Sequence, residues 1–133
     1  MNKWIGVDLD GTLAEYQGAM GKRIGAPIAA MLGMVRALID SGIEVRIFTA
    51  RASDPNQLPA IKGWLKRHGL GQCPVTNIKD FDCHLIIDDR AVRAEWNKGR
   101  CCSGCQAEAI RRMKQLGLQN WPTQYVASRL ELI

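Results

Sequence analysis

Apolar residues fill nearly every position of Trp4-Ile5-Gly6-Val7-Asp8-Leu9, and the run stops at Asp10 and Gly11. Such a run predicts a strand buried on both faces, with Gly11 supplying the turn that leaves it. After a glycine-rich loop or small hairpin at 14–26, Ile28, Met31, Leu32, Val35, Leu38 and Ile39 recur at helical spacing. They predict a helix opened by Pro27 and closed by Gly42. A second strand is expected over 43–48, and a second helix from Pro59 to Gly69 with Ile61, Trp64 and Leu65 inward. Short strands follow at 74–78 and 84–87. Val92, Ala94 and Trp96 alternate, predicting a fifth strand over 91–96 with a turn at 97–99. Ser103 and Gln106 have the spacing of a capping box for a last helix ending near Gly117. Residues 120–133 fit a short helix or an extended tail. Strands alternating with helices imply an α/β fold whose central sheet is mostly parallel and covered on both faces.

Length and composition add limits. The 133 residues suit one domain spanning 1–133, and 47% apolar with 23% charged residues is ordinary for a soluble globular protein. No apolar run is long enough for a membrane span, and Asp8 interrupts the first one too early for a signal peptide, so the cytoplasm is the default. The net charge of +5 is uneven: residues 1–89 carry ten basic and ten acidic side chains, residues 90–133 eight and three. That excess admits nucleic acid as a partner, although such a face is more often plain solvated surface. Five cysteines argue against a disulfide framework. Cys101, Cys102 and Cys105 cluster without a second visible pair, so reduced thiols are favoured over zinc, which His68, His84, Cys73 or Cys83 would have to complete.

Candidate chemistry lies at the expected strand ends. Alternate residues of a strand share a face, so Asp8 and Asp10 are expected to approach one point. Close carboxylates repel unless a proton or cation lies between them, and magnesium takes carboxylates together with a substrate phosphate. Ligands of a doubly wound sheet bind beyond the carboxyl ends of its strands. Those ends carry Asp8 and Asp10, Thr49, Lys79 on the next connection, then Asp88 and Asp89. Each alone has an ordinary reading as a turn, a cap or a surface charge. Together they suit phosphoryl transfer, which needs a nucleophile, charge neutralisation and a proton for the leaving oxygen. Asp8 is the candidate nucleophile and Asp10 the acid–base partner; Thr49 and Lys79 would contact phosphoryl oxygens, and Asp88 and Asp89 would complete a magnesium shell.

In this order, Asp8-Leu9-Asp10-Gly11-Thr12-Leu13, Thr49, Lys79 and Asp88-Asp89 resemble the four signature motifs of the haloacid dehalogenase-like superfamily, over residues 4 to about 90. The resemblance implies a Rossmann-like three-layer sandwich, magnesium and an aspartyl-phosphate intermediate. By that likeness Asp8 is nucleophile and metal ligand, and Asp10 adds a backbone carbonyl to the metal. The second aspartate implies a phosphatase acting on a phosphorylated small molecule or nucleotide. The intervals between motifs leave no room for a cap domain, so the site would be open unless a second subunit in a homo-oligomer covers it. Gly11, Thr12, Ala50, Arg51, Lys22 and Arg23 are the expected substrate contacts, with Tyr16 beside them. A nucleotidase or polynucleotide end phosphatase is the alternative within the enzyme class. A non-enzymatic phospho-accepting module is the alternative outside it, although such modules lack a counterpart of Asp10.

Overall fold

The computed structural model describes residues 3–18 and 21–119. Four strands form one sheet: β1 (Trp4–Val7), β2 (Glu44–Phe48), β3 (Val75–Thr76) and β4 (Cys83–Ile87), in the spatial order β3-β2-β1-β4. All three pairings are parallel. Helix α1 (Ala29–Asp40) joins β1 to β2, and α2 (Leu58–Arg67) joins β2 to β3. The fold is therefore α/β, with an all-parallel sheet flanked by helices, consistent with a Rossmann-like three-layer sandwich. No helix among the described residues is long and apolar enough to cross a membrane.

The chain divides into two compact units, Met1–Asp89 and Arg90–Ile133. In the first, Val7, Val45 and Ile47 point to the same side of the sheet and share a core with Val35 of α1 and Ile61, Trp64 and Leu65 of α2. Leu9 and Leu13, fully buried, extend that core under the loop that follows β1. On the opposite face Trp4 is buried beneath Arg46, whose guanidinium lies 4.6 Å from the indole centroid, and beside Phe48. Between β1 and α1 the described residues form only turns and a small hairpin, with no inserted helix or strand.

Several boundaries depart from the sequence pattern. β1 ends at Val7, and residues 9–13 turn back so that Gly11 donates to the Ala14 carbonyl and Leu13 to that of Leu9. Helix α1 starts at Ala29, not Pro27. Ala14 bridges Pro27, and Glu15 and Ile28 donate to the Ala26 and Leu13 carbonyls, which holds 26–28 extended. All three helices end in one motif: Ile43, Leu70 and Leu118 donate back across glycines with positive φ, namely Gly42, Gly69 and Gly117.

In the second unit the expected fifth strand reduces to a single bridge, Ala94 with Cys101, closed by Glu95 and Cys102 donating to the Arg100 and Arg93 carbonyls. Trp96, expected to share one strand face with Val92 and Ala94, is 85% exposed, and Asn97 and Gly99 take positive φ and turn the chain directly after it. The capping box does not form either. Ser103–Cys105 is a 3-10 turn, and α3 (Gln106–Gln115) starts behind Cys105 without a side-chain cap. The tail from 120 lies outside the described residues.

Candidate functional site

The register of the sheet builds the site. Val7 pairs with Ile87, and the Asp8 N–H donates to the Ile87 carbonyl at 2.9 Å. Asp8 and Asp88, each the first residue beyond its strand, therefore leave the sheet side by side. Asp8, Asp88 and Asp89 each bring a carboxylate oxygen within 4.8 Å of the others'. Asp89 is fixed by Thr12, a buried hydroxyl that donates to its carboxylate and accepts its N–H, both at 3.1 Å. Gly11, at φ +85°, lies so close that a Cβ there would stand 2.8 Å from the Asp89 Oδ2. The turn of residues 9–13 thus carries the third acid by sterics and hydrogen bonding together.

These acids repel. Burial, a hydrogen bond with Asp89 and the charge of Asp88 push the Asp8 carboxyl up from its ordinary 3.8 to about 7. A shared proton relieves that repulsion, and so does a cation. The donor set is all oxygen, half-buried on two sides and open on the third. It fits a hard divalent ion that keeps water or a substrate oxygen in its shell, and it offers nothing to a thiophilic metal.

Asp10 does not join this group. With β1 ending at Val7, strand alternation no longer applies to residues 8–10, and Asp10 faces away toward Arg51. Arg51 grips it with both arms of the guanidinium, Nε to Oδ2 at 2.7 Å and Nη2 to Oδ1 at 2.9 Å. The same guanidinium donates to the carbonyls of Gly21 and Arg23 and to Gln57. Arg51 and Asp10 are 9% and 19% exposed, so this is a largely desolvated fork-to-fork pair. Asp10 in turn raises the proton affinity of the guanidinium. Arg51, expected to contact substrate, is here the anchor of the glycine-rich loop. The sequence clue was an arginine two residues beyond a strand-end threonine, but its partner could not be read from spacing.

Thr49, 2% exposed, follows β2 immediately, its N–H held by the Thr76 carbonyl. Its Oγ1 accepts the Arg51 N–H at 3.2 Å, which leaves its own proton to be donated. Ala50, itself exposed, opens the 3-10 turn behind it. Lys79 lies on the segment 77–82 that returns from β3 to the start of β4. It is exposed, and among the described residues no hydrogen bond or ion pair joins it to the acids. Its neighbour Asp80 is pinned by the Trp4 indole N–H at 2.8 Å. Lys22, Arg23 and Tyr16 are exposed on the glycine-rich loop. Cys101, Cys102 and Cys105 are free thiols, and among the described residues no group of three that could hold a metal includes them.

No protein-family model matches the chain, and no curated protein matches it. A solved structure of a conserved protein from Bacteroides thetaiotaomicron is similar, with a TM-score of 0.55 and 22% identity, covering 88% of this chain and 96% of that one. The similarity supports the fold.

Proposed function

We propose that the protein is a magnesium-dependent phosphatase that hydrolyses a phosphate monoester through an aspartyl-phosphate on Asp8. The observation that supports this reading is the convergence of Asp8, Asp88 and Asp89 at the carboxyl ends of adjacent parallel strands. It accords with the resemblance to the haloacid dehalogenase-like superfamily.

Asp8, Asp88 and Asp89 would hold magnesium, which supplies charge neutralisation between the carboxylate nucleophile and the phosphoryl group. The Asp8 carboxylate attacks phosphorus and the ester oxygen departs; water then opens the acyl-phosphate, releasing inorganic phosphate and restoring Asp8. The Thr49 hydroxyl, which accepts the Arg51 N–H, keeps its own proton to donate to a phosphoryl oxygen. Lys79, expected to neutralise the phosphate, lies instead on the segment that runs back to the start of β4, beside the Asp80 that Trp4 holds at the start of β1, and it is given no part in this step. Asp10 is the proton donor to the leaving oxygen, and one of its two Arg51 bonds must yield for it to act.

The test is hydrolysis of an aryl phosphate by the purified chain. Activity should require magnesium, fall below detection in Asp8→Asn and leave an acid-stable acyl-phosphate in Asp10→Asn. Full activity in Asp8→Asn would remove the nucleophile. A persistent acyl-phosphate in the unaltered protein, without turnover, would favour a phospho-accepting module.

A further inference from the structure

A hollow of about 290 Å³ lies between the glycine-rich loop and α2, lined by Lys22 and Arg23 on one side and Gly63, Trp64 and Arg67 on the other. We propose that this hollow is a second anion site, which receives a phosphate carried on the leaving group, so that the preferred substrates are bisphosphorylated. The claim about substrate rests on the phosphatase reading; the claim that the hollow binds a phosphate does not.

Three cations line the hollow and no acid does. The unit Met1–Asp89 contains five arginines. Arg36 donates to the His68 carbonyl, Arg46 pairs with Glu44 and Asp80, and Arg51 holds Asp10. Arg23 and Arg67, both at the hollow, have guanidinium groups with no partner among the described residues. Each offers a rigid fork of donors matched to phosphate. All three cations are exposed, so water screens their mutual repulsion, and what an anion would gain here is the hydrogen bonds of two guanidinium forks.

The hollow is also fixed in place before any ligand arrives. The Trp64 indole donates to the Gly25 carbonyl at 2.9 Å, which ties the loop to α2. Arg51 Nη2 donates at once to Asp10 and, at 2.8 Å, to the Arg23 carbonyl. The loop that bears Lys22 and Arg23 therefore starts beside the residue two places beyond Asp8. The Arg51 guanidinium stands between Asp10 and the loop, so only a leaving group long enough to pass it would bring its far end to these cations. A larger hollow of about 580 Å³, lined by Lys62 and Lys66 but no arginine, opens at Pro74 and Val75, where the edge strand β3 begins, whereas Asp8 follows the far end of the inner strand β1.

The experiment is calorimetric titration of the full chain with inorganic pyrophosphate in chelator, where no metal ion can carry the anion to the acids. One site should appear, and Arg23→Gln and Arg67→Gln should each weaken it about tenfold, with Lys98→Gln as a control that does not. Absence of binding, or equal binding by all variants, overturns the proposal even if aryl phosphate is hydrolysed. With magnesium present, kcat/KM for adenosine 3′,5′-bisphosphate and for fructose 1,6-bisphosphate is compared with that for the matching monophosphates. A preference of about tenfold or more that collapses in Arg67→Gln supports the proposal, and the better of the two bisphosphates separates a nucleoside from a sugar leaving group. Equal values for bisphosphate and monophosphate overturn the substrate claim. Pyrophosphate binding without any hydrolysis supports the anion site and sinks the phosphatase instead.

Discussion

Replacing Asp8 with asparagine should stabilise the metal-free protein above neutral pH while removing its stabilisation by magnesium. The Asp8 carboxyl is raised from 3.8 to about 7, first by burial and then by Asp89 and Asp88. A carboxyl raised in the folded state costs nothing while both states are protonated, below about pH 4; the cost is complete once pH passes about 7. At about 1.4 kcal/mol per pH unit the ceiling is about 4 kcal/mol. Asp8 is half-buried beside an exposed Asp89, so water and counter-ions screen part of this, and about 2 kcal/mol is expected. For a chain of this size that is roughly 6–10 °C in melting temperature. Asparagine does not ionise, and its amide can donate to Asp89 where the protonated Asp8 does so. The assay is thermal melting in chelator from pH 4 to about pH 8, repeated with excess magnesium. The unaltered protein should lose stability through that range and regain it with magnesium, as binding to the folded state requires. Asp8→Asn should show neither response. If the variant melts at or below the unaltered protein at high pH in chelator, the acids do not repel as argued.

Arg51→Lys should lose about 3 kcal/mol in urea denaturation, because a point-charge ammonium cannot reproduce the fork on Asp10 and the links to Gly21 and Arg23. A loss under about 1 kcal/mol would show that the pair is dispensable to the loop. Gly11→Ala places a methyl against the Asp89 carboxylate at a positive φ. It should cost at least about 1 kcal/mol and weaken the magnesium-induced rise in melting temperature, both read from the same melts. An unaltered magnesium response would separate Gly11 from the placement of Asp89.

Much of the fold is written locally. Helical spacing from Ile28 to Ile39, the apolar run at Trp4 and the closing glycines each act over a few residues, and all reappear as elements. Errors gathered where tertiary contacts outbid local preference. Pro27 resembles a helix start but is drawn into the hairpin with Ala14, and residues 91–96 alternate correctly without a neighbouring strand to pair with among the described residues. Strand ends were the costliest case. The sequence pattern carried β1 through Leu9, which placed Asp8 and Asp10 on one face; the fold ends it at Val7, because Leu9 and Leu13 are needed in the core.

The candidate chemistry divides in the same way. By itself the chain determined which acids and which hydroxyl follow strand ends, since apolar runs and the polar residues that stop them are neighbours in sequence, while Lys79, expected beside them, lies on the segment that runs back to the start of β4. Which of those groups meet was decided only in three dimensions. The parallel register of β1 with β4 brings together Asp8, Asp88 and Asp89, and Arg51 takes Asp10 for itself across a separation of 41 residues. A guanidinium and a carboxylate leaving water satisfy each other wherever the folded backbone sets them face to face, and no local pattern records that pairing.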